Sequence, residues 1–335
     1  MKQIIFVTDA WEPQVNGVVT AVEMTTRILK ERGYEVTVIH PGDFKTFPLP
    51  LYPEIRLALF PYLRVQKILR QQPDAVIHIA TEGPLGLAAR RFCLKNALSF
   101  TTSYHTQFHL HLQKRMRGLT AVVYRFLRWF HAPATVTMVA SQSLKDQLEG
   151  AGFRHLALWP LGVDTKLFAR NPSPQVSNLV HPVFAYFGRL AKEKSPEEFL
   201  KLDLPGTKLV IGDGPMREEL EARYGESASF VGYKKGQELV DYLSTVDVLV
   251  FPSRTETFGL VIVEALAIGI PVAAHAAMGP QDIIENGVDG CLDEDLQKAA
   301  ITCLSLTRDN CRKKALLFSW ERATDIFLSN VVASH

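Results

Sequence analysis

Residues 251–271 read FPSRTETFGLVIVEALAIGIP. The run leading into them, with Val246, Val248, Leu249, Val250 and Phe251, is short, β-branched and closed by Pro252-Ser253. That pattern predicts a buried parallel strand. Residues 259–268 are apolar almost all round, which predicts a helix buried on most sides. Two carboxylates interrupt the pattern: Glu256 in the turn and Glu264 in the helix. A buried carboxylate is costly unless something satisfies it. Helical side chains lean toward the N-terminus, so Glu264 is expected to reach back toward the turn that carries Glu256. The same turn exposes the N–H groups of Thr257, Phe258, Gly259 and Leu260 at the positive end of the helix dipole, an arrangement that attracts anions. Two acceptor carboxylates beside an anion site suit a phosphate next to sugar hydroxyls, as in a nucleotide-sugar. A plainer reading has Glu256 capping the helix and Glu264 paired with a neighbouring Arg.

Glu256-x7-Glu264, with Phe258-Gly259 after the first Glu, resembles the signature of the family 4 retaining glycosyltransferases. The resemblance implies an α/β chain of GT-B fold: two facing Rossmann-like domains with a cleft between them, and a C-terminal helix crossing back to the N-terminal domain. It implies that the first Glu contacts the transferred sugar and the second the ribose. It also implies a UDP- or GDP-sugar donor, no cofactor and no required metal.

The 335 residues, 47% of them apolar, suffice for one large or two medium cores. No apolar run reaches the roughly 18 residues of a membrane span. The N-terminus reads as a first strand rather than a signal peptide. Cys93, Cys291, Cys303 and Cys311 are scattered, as expected of reduced thiols in a cytosolic protein. Charge is divided: residues 1–170 carry 21 Lys and Arg against 12 Asp and Glu, and residues 171–335 carry 16 against 23. The basic half is expected to meet something anionic.

In chain order, a strand over 3–8 leads through the loop that ends at Asn16-Gly17 into a helix over 18–32 and a strand over 35–40. A missing Cβ at Gly17 lets backbone amides approach a ligand. In the resembled family this loop faces the donor phosphates and the acceptor. Residues 42–53, rich in Pro and Phe, read as a loop. Strands over 75–79 and 99–104 end at Thr81-Glu82-Gly83 and at Tyr104-His105, where open α/β sheets bind ligands. Glu82 and Tyr104 are candidates for the acceptor, and the resemblance places His105 close to the donor sugar. Residues 108–131 mix Lys114, Arg115, Arg117, Arg125 and Arg128 with aromatics such as Trp129. Basic residues among aromatics on helices suit an anionic membrane surface. An ordinary helix packed on one face reads equally well, and no recognition motif for nucleic acid accompanies the patch. Asn171-Pro172-Ser173-Pro174 reads as a linker, dividing domain 1–170, plus 319–335, from domain 171–318.

The second half repeats the pattern, with strands over 183–187 and 207–211 and a short one over 229–231. After the first comes Gly188-Arg189, with Lys194 five residues on; two cations there would neutralise a diphosphate. This resembles the family's Gly-Arg…Lys element, in which both cations stabilise the departing pyrophosphate. Gly212-Asp213-Gly214 reads as a turn, and the resemblance puts the base beside Gly232. Asp293-Glu294-Asp295 matches an Asp-x-Asp metal motif but starts a helix, where acids favour the dipole.

With the resemblance, these readings imply a nucleotide-sugar-dependent hexosyltransferase. The resemblance is to bacterial glycolipid-forming members, which implies a membrane lipid acceptor such as diacylglycerol and a cytoplasmic enzyme peripheral on the inner face of the cell membrane. A lipopolysaccharide core or polysaccharide acceptor is the alternative. An epimerase or phosphorylase of the same fold, or a non-catalytic membrane scaffold, fits less well.

Overall fold

A computed structural model describes residues 2–14, 16–49, 52–105, 117–176 and 179–332, the side chains of 52–54, 117–120 and 332 excepted. The chain divides into two compact units: Met1–Leu161 with Trp320–His335, and Gly162–Ser319. The division falls ahead of the Pro-rich stretch at 171–174. Val163 N–H donates to Phe318 O at 2.7 Å, and the Arg312 guanidinium donates to the carbonyls of Thr165 and Phe168, both at 2.7 Å. These bonds hold the 162–168 segment in unit 2.

Unit 1 contains β1 (Gln3–Val7), β2 (Glu35–Ile39), β3 (Thr46–Leu49), β4 (Tyr52–Ala58), β5 (Val76–Ile79), β6 (Thr101–Tyr104), β7 (Thr137–Val139) and β8 (Leu156–Leu158). A parallel sheet runs β2-β1-β5-β6-β7-β8, so strand order reverses between β1 and β5. Helices cover both faces, which is why Ile4, Ile5, Phe6 and Val7 are all buried. Residues 42–53, expected as a loop, instead supply β3 and the start of β4, an antiparallel ribbon outside the main sheet. Proline reads as loop in a sequence, yet a two-stranded ribbon has free edges on which a residue without an N–H is tolerated.

The chain's last helix, Trp320–Val332, belongs to unit 1, as expected. Phe327 is fully buried, stacked 5.0 Å from Phe6 and 5.1 Å from both His78 and Trp159. Arg32 pairs with Asp325 at 2.6 Å on the rim of this contact.

Unit 2 contains β9 (Val183–Phe187), β10 (Thr207–Ile211), β11 (Ser229–Gly232), β12 (Val248–Phe251), β13 (Val272–Ala274) and β14 (Gly290–Leu292). They form a parallel sheet in the order β11-β10-β9-β12-β13-β14. This is the doubly wound dinucleotide-fold order, reversing between β9 and β12, the place where open α/β sheets take ligands. The helix after Gly279 is a single turn, Pro280–Ile283.

Candidate active site

The loops after β9 and β12 meet at the reversal point of unit 2. The first is carried close to the β10 turn. A Cβ on Gly212 would lie 1.9 Å from Gly188 O, and one on Gly214 2.5 Å from Leu190 O. Leu190 N–H donates to Asp213 O at 2.8 Å. The Gly-x-Gly turn is thus the floor on which Gly188, Arg189 and Leu190 rest. Arg189 is exposed, and its carbonyl accepts the Tyr186 hydroxyl at 2.7 Å. The chain then makes a short 3-10 turn, Lys192–Lys194.

The second loop is tied to the first. The hydroxyls of Ser253 and Thr255 donate to Glu193 O at 3.5 and 3.2 Å. Lys194 and Glu256 form an ion pair, the Glu256 side chain being 15% exposed. The sequence placed these two in separate motifs; the fold joins them. Burial raises the Tyr186 phenol well above its ordinary range, and the nearby Glu256 carboxylate adds to the effect. Gly279, at φ +90, closes the other side: a Cβ there would stand 2.8 Å from Phe258 O and 3.0 Å from Glu256 Cβ.

Gly259, at φ +101, begins the helix Leu260–Ile268, and no side chain caps it. Glu256 therefore does not serve as the cap. Phe258 is buried against Phe318, with ring centroids 5.8 Å apart. Glu264 has no Arg partner among the described residues, which sets aside the plainer reading of its role. Burial pushes its carboxyl up to about 8. By surface area the residue is half-buried, so part of its side chain reaches solvent. Gly232, at φ +74, ends β11 and accepts Gly212 N–H at 2.9 Å. The Arg217 guanidinium, bonded to Asp213 at 2.9 Å, lies beside it.

A group that sequence reasoning missed lies one strand further on. His275, first residue past β13 and wholly buried, has Nε2 2.7 Å from Glu198 Oε1 and Nδ1 3.9 Å from Glu294 Oε2. Arg254 pairs with Glu294 at 2.8 Å. The strand-end position that singled out His105 would have found it. Asp293 pairs with Lys298 at 2.7 Å, and Asp295 accepts Lys298 N–H at 3.1 Å, so the acids of the Asp-x-Asp motif are engaged by the chain.

In unit 1 the groups gather where β1, β5 and β6 end. Asn16 caps the helix Gly17–Glu31, its Oδ1 accepting from Val18 N–H at 3.0 Å and Val19 N–H at 3.1 Å. Those amides are thereby satisfied, unlike the uncapped start of the helix after Gly259. Asp9, also missed, accepts from Leu85 N–H at 2.9 Å, Gly86 N–H at 3.3 Å and the Thr81 hydroxyl at 2.9 Å. Burial pushes its carboxyl up to about 6. Glu82 Oε1 lies 3.2 Å from His131 Nε2, with 14% of its side chain exposed. His105 packs its ring 5.5 Å from Trp159, and burial lowers it to about 4, so the imidazole is neutral. Tyr104 needs correction as an acceptor contact. It is fully buried against His131 and Phe153, because all four residues of β6 are covered on both faces.

The helix Arg117–His131 is pinned by Arg90, which donates to Phe130 O at 2.9 Å and Trp129 O at 2.7 Å and stacks 3.8 Å over the Trp129 ring. Val122, Phe126 and Trp129 are exposed at helical spacing beside exposed Arg125 and Arg128. Lys114, Arg115 and the Arg117 side chain lie outside the described residues. No helix among the described residues is long and apolar enough to cross a membrane.

Two parallel α/β units, one in dinucleotide-fold order with a cation–carboxylate pair at its reversal point, are the make-up of GT-B glycosyltransferases. Residues 15–167 match the profile of Glycosyltransferase Family 4, and residues 181–309 that of Glycosyl transferases group 1. The chain belongs to the family 4 glycosyltransferases, nucleotide-sugar-dependent hexosyltransferases of GT-B fold. It is 31% identical over 316 residues to the sulfoquinovosyl transferase SQD2 of Arabidopsis thaliana, covering 85% of this chain and 62% of that protein's length. With the alpha-monoglucosyldiacylglycerol synthase of Streptococcus pneumoniae it shares 24% over 345 residues, 90% of this chain and 78% of the other. Among solved structures, the UDP-glucose complex of Anabaena Alr3699/HepE superposes with a TM-score of 0.70 at 17% identity, covering 99% of this chain and 100% of that one.

Proposed function

We propose that the protein transfers a hexose or hexuronic acid, with retention, from a UDP- or GDP-sugar to a membrane lipid such as diacylglycerol. The observation that carries the reading is the Lys194–Glu256 pair beside an uncapped helix N-terminus at the reversal of strand order in unit 2. Departure of a nucleoside diphosphate leaves an oxocarbenium-like sugar and a developing dianion, and preorganised cations and amides lower that barrier. Arg189, Lys194 and the amides of Thr257 to Leu260 take the diphosphate. Glu256 contacts the transferred sugar, Glu264 the ribose, and Gly232 borders the base. In unit 1 His105 works as a neutral imidazole toward the sugar, and Glu82 toward the acceptor hydroxyl. Front-face attack, with the leaving phosphate accepting the hydroxyl proton, gives retention.

The lipid acceptor is supported by a relative named for making glucosyldiacylglycerol and by the exposed Val122, Phe126 and Trp129 beside Arg125 and Arg128. That helix rests on an anionic membrane surface, which places the enzyme peripherally on the inner face of the cell membrane. No metal step is part of the reading, and a rate unchanged by EDTA is its check. A panel of UDP- and GDP-sugars scored by thermal shift identifies the donor. Transfer of label from that donor to diacylglycerol in vesicles, with the anomer of the product read by NMR, tests the rest. Transfer only to soluble saccharides would overturn the lipid acceptor.

A further inference from the structure

The β3–β4 ribbon has an inner and an outer face. Its register pairs Thr46 with Ala58 and Phe47 with Leu57, and directly opposed residues share a face. Ala58 is 3% exposed and joins the core with Val65 and Leu69, so its face turns inward. Alternation puts Phe47, Ile55 and Leu57 on the other face. Leu59, whose N–H donates to Lys45 O at 2.8 Å, continues that row. Phe47 is 40% and Leu59 42% exposed.

Just past the ribbon Phe60 is 94% exposed and Leu63 76%. Phe60 also takes φ +46, a strained region for a bulky side chain. A phenylalanine held in that conformation and packed on nothing gains little inside unit 1. Between 57 and 73 the chain carries Arg64, Lys67 and Arg70, all exposed, and no Asp or Glu. An apolar edge rimmed by cations is complementary to an anionic leaflet: rings enter the acyl boundary while the cations meet phosphates. The helix Tyr62–Gln71 returns the chain from the end of β2 to the start of β5. It therefore begins toward the end of the sheet that carries Asp9, Glu82 and His105.

We propose that the β3–β4 ribbon, with Phe60 and Leu63, is a bilayer-docking element of unit 1 that inserts these two side chains into an anionic leaflet. It rests on the membrane reading above and adds a contact separate from the helix Arg117–His131. The test is flotation of the full chain with phosphatidylcholine vesicles, with and without phosphatidylglycerol. The wild type is expected to float with the anionic vesicles and much less with the neutral ones. The F60S/L63S variant, altered only at exposed positions, is expected to bind at least about tenfold more weakly. An F60W variant is expected to add blue-shifted emission that brominated acyl chains quench, measured as the difference from wild type.

Undiminished flotation of F60S/L63S, with unquenched emission from F60W, would overturn the ribbon and leave the membrane reading standing. A wild type that floats with neither vesicle would overturn both. Equal flotation with both vesicles would overturn the anionic surface. Loss of a self-associated species in F60S/L63S, with flotation unchanged, would assign the face to a protein contact and also overturn the proposal.

Discussion

His275 Nε2 stands 2.7 Å from Glu198 Oε1, and the two residues fix segments on either side of the site. Glu198 lies four residues past Lys194, while His275 leads into the strand-end loop whose Gly279 backs onto Glu256. The imidazole is wholly buried, while the Glu198 side chain is 40% exposed, so the bond joins the interior to the surface. The pair is expected to act through others, by positioning Lys194 and Glu256. His275→Asn is expected to lower kcat/KM by about tenfold to a hundredfold, because small misplacements of reacting groups are costly. The loss should fall mainly in kcat. A variant with lower Tm and unchanged kinetics would make the pair purely structural.

Lys194→Ala leaves the half-buried Glu256 without its cation, and Glu256→Ala does the converse. Each is expected to reduce kcat by about 10² to 10³ with the fold intact by circular dichroism. Groups that act as a unit are not additive, so the double variant should cost little more than the worse single one. Multiplied losses would show that the two residues serve separate steps.

Glu264 gives a pH dependence whose sign follows from its surroundings. Burial pushes its carboxyl from 4.5 up to about 8 in the native state. Between those values the native protein holds a proton that the unfolded chain has released, so stability falls as pH rises toward 8. Glu264→Gln removes this loss. The variant's advantage in thermal unfolding should grow from pH 5 to pH 8, to on the order of 2 kcal/mol. Donor hydroxyls bonding to the carboxylate should also expel its proton, seen as buffer-dependent binding enthalpy near pH 7. An advantage that stays constant with pH would refute the assignment.

The strand ends at Pro252 and Gly188 were legible because each carries a turn residue directly after a short apolar run. The pairing of Lys194 with Glu256 was not, since it depends on which strands are neighbours. Tyr104 was misread because a strand covered on both faces leaves no alternation to tell inside from outside. The ribbon was lost to its prolines, Pro48 and Pro53.

Phe327 is the buried centre of the C-terminal helix's hold on unit 1, touching Phe6, His78 and Trp159. Phe327→Ala is expected to cost about 3–5 kcal/mol in denaturant unfolding. Because Trp159 packs on His105, it should also loosen that imidazole and reduce kcat in the surviving folded fraction. A loss under about 1 kcal/mol would mean the helix is held elsewhere.

The central claim is that unit 2 grips the donor's diphosphate between Arg189, Lys194 and the turn after Glu256. Titration calorimetry of UDP and GDP, without divalent cation, tests it most directly. One of the two nucleotides should bind the wild type, and the R189A/K194A variant should bind it at least about tenfold more weakly. Equal affinity in the two proteins would contradict the account.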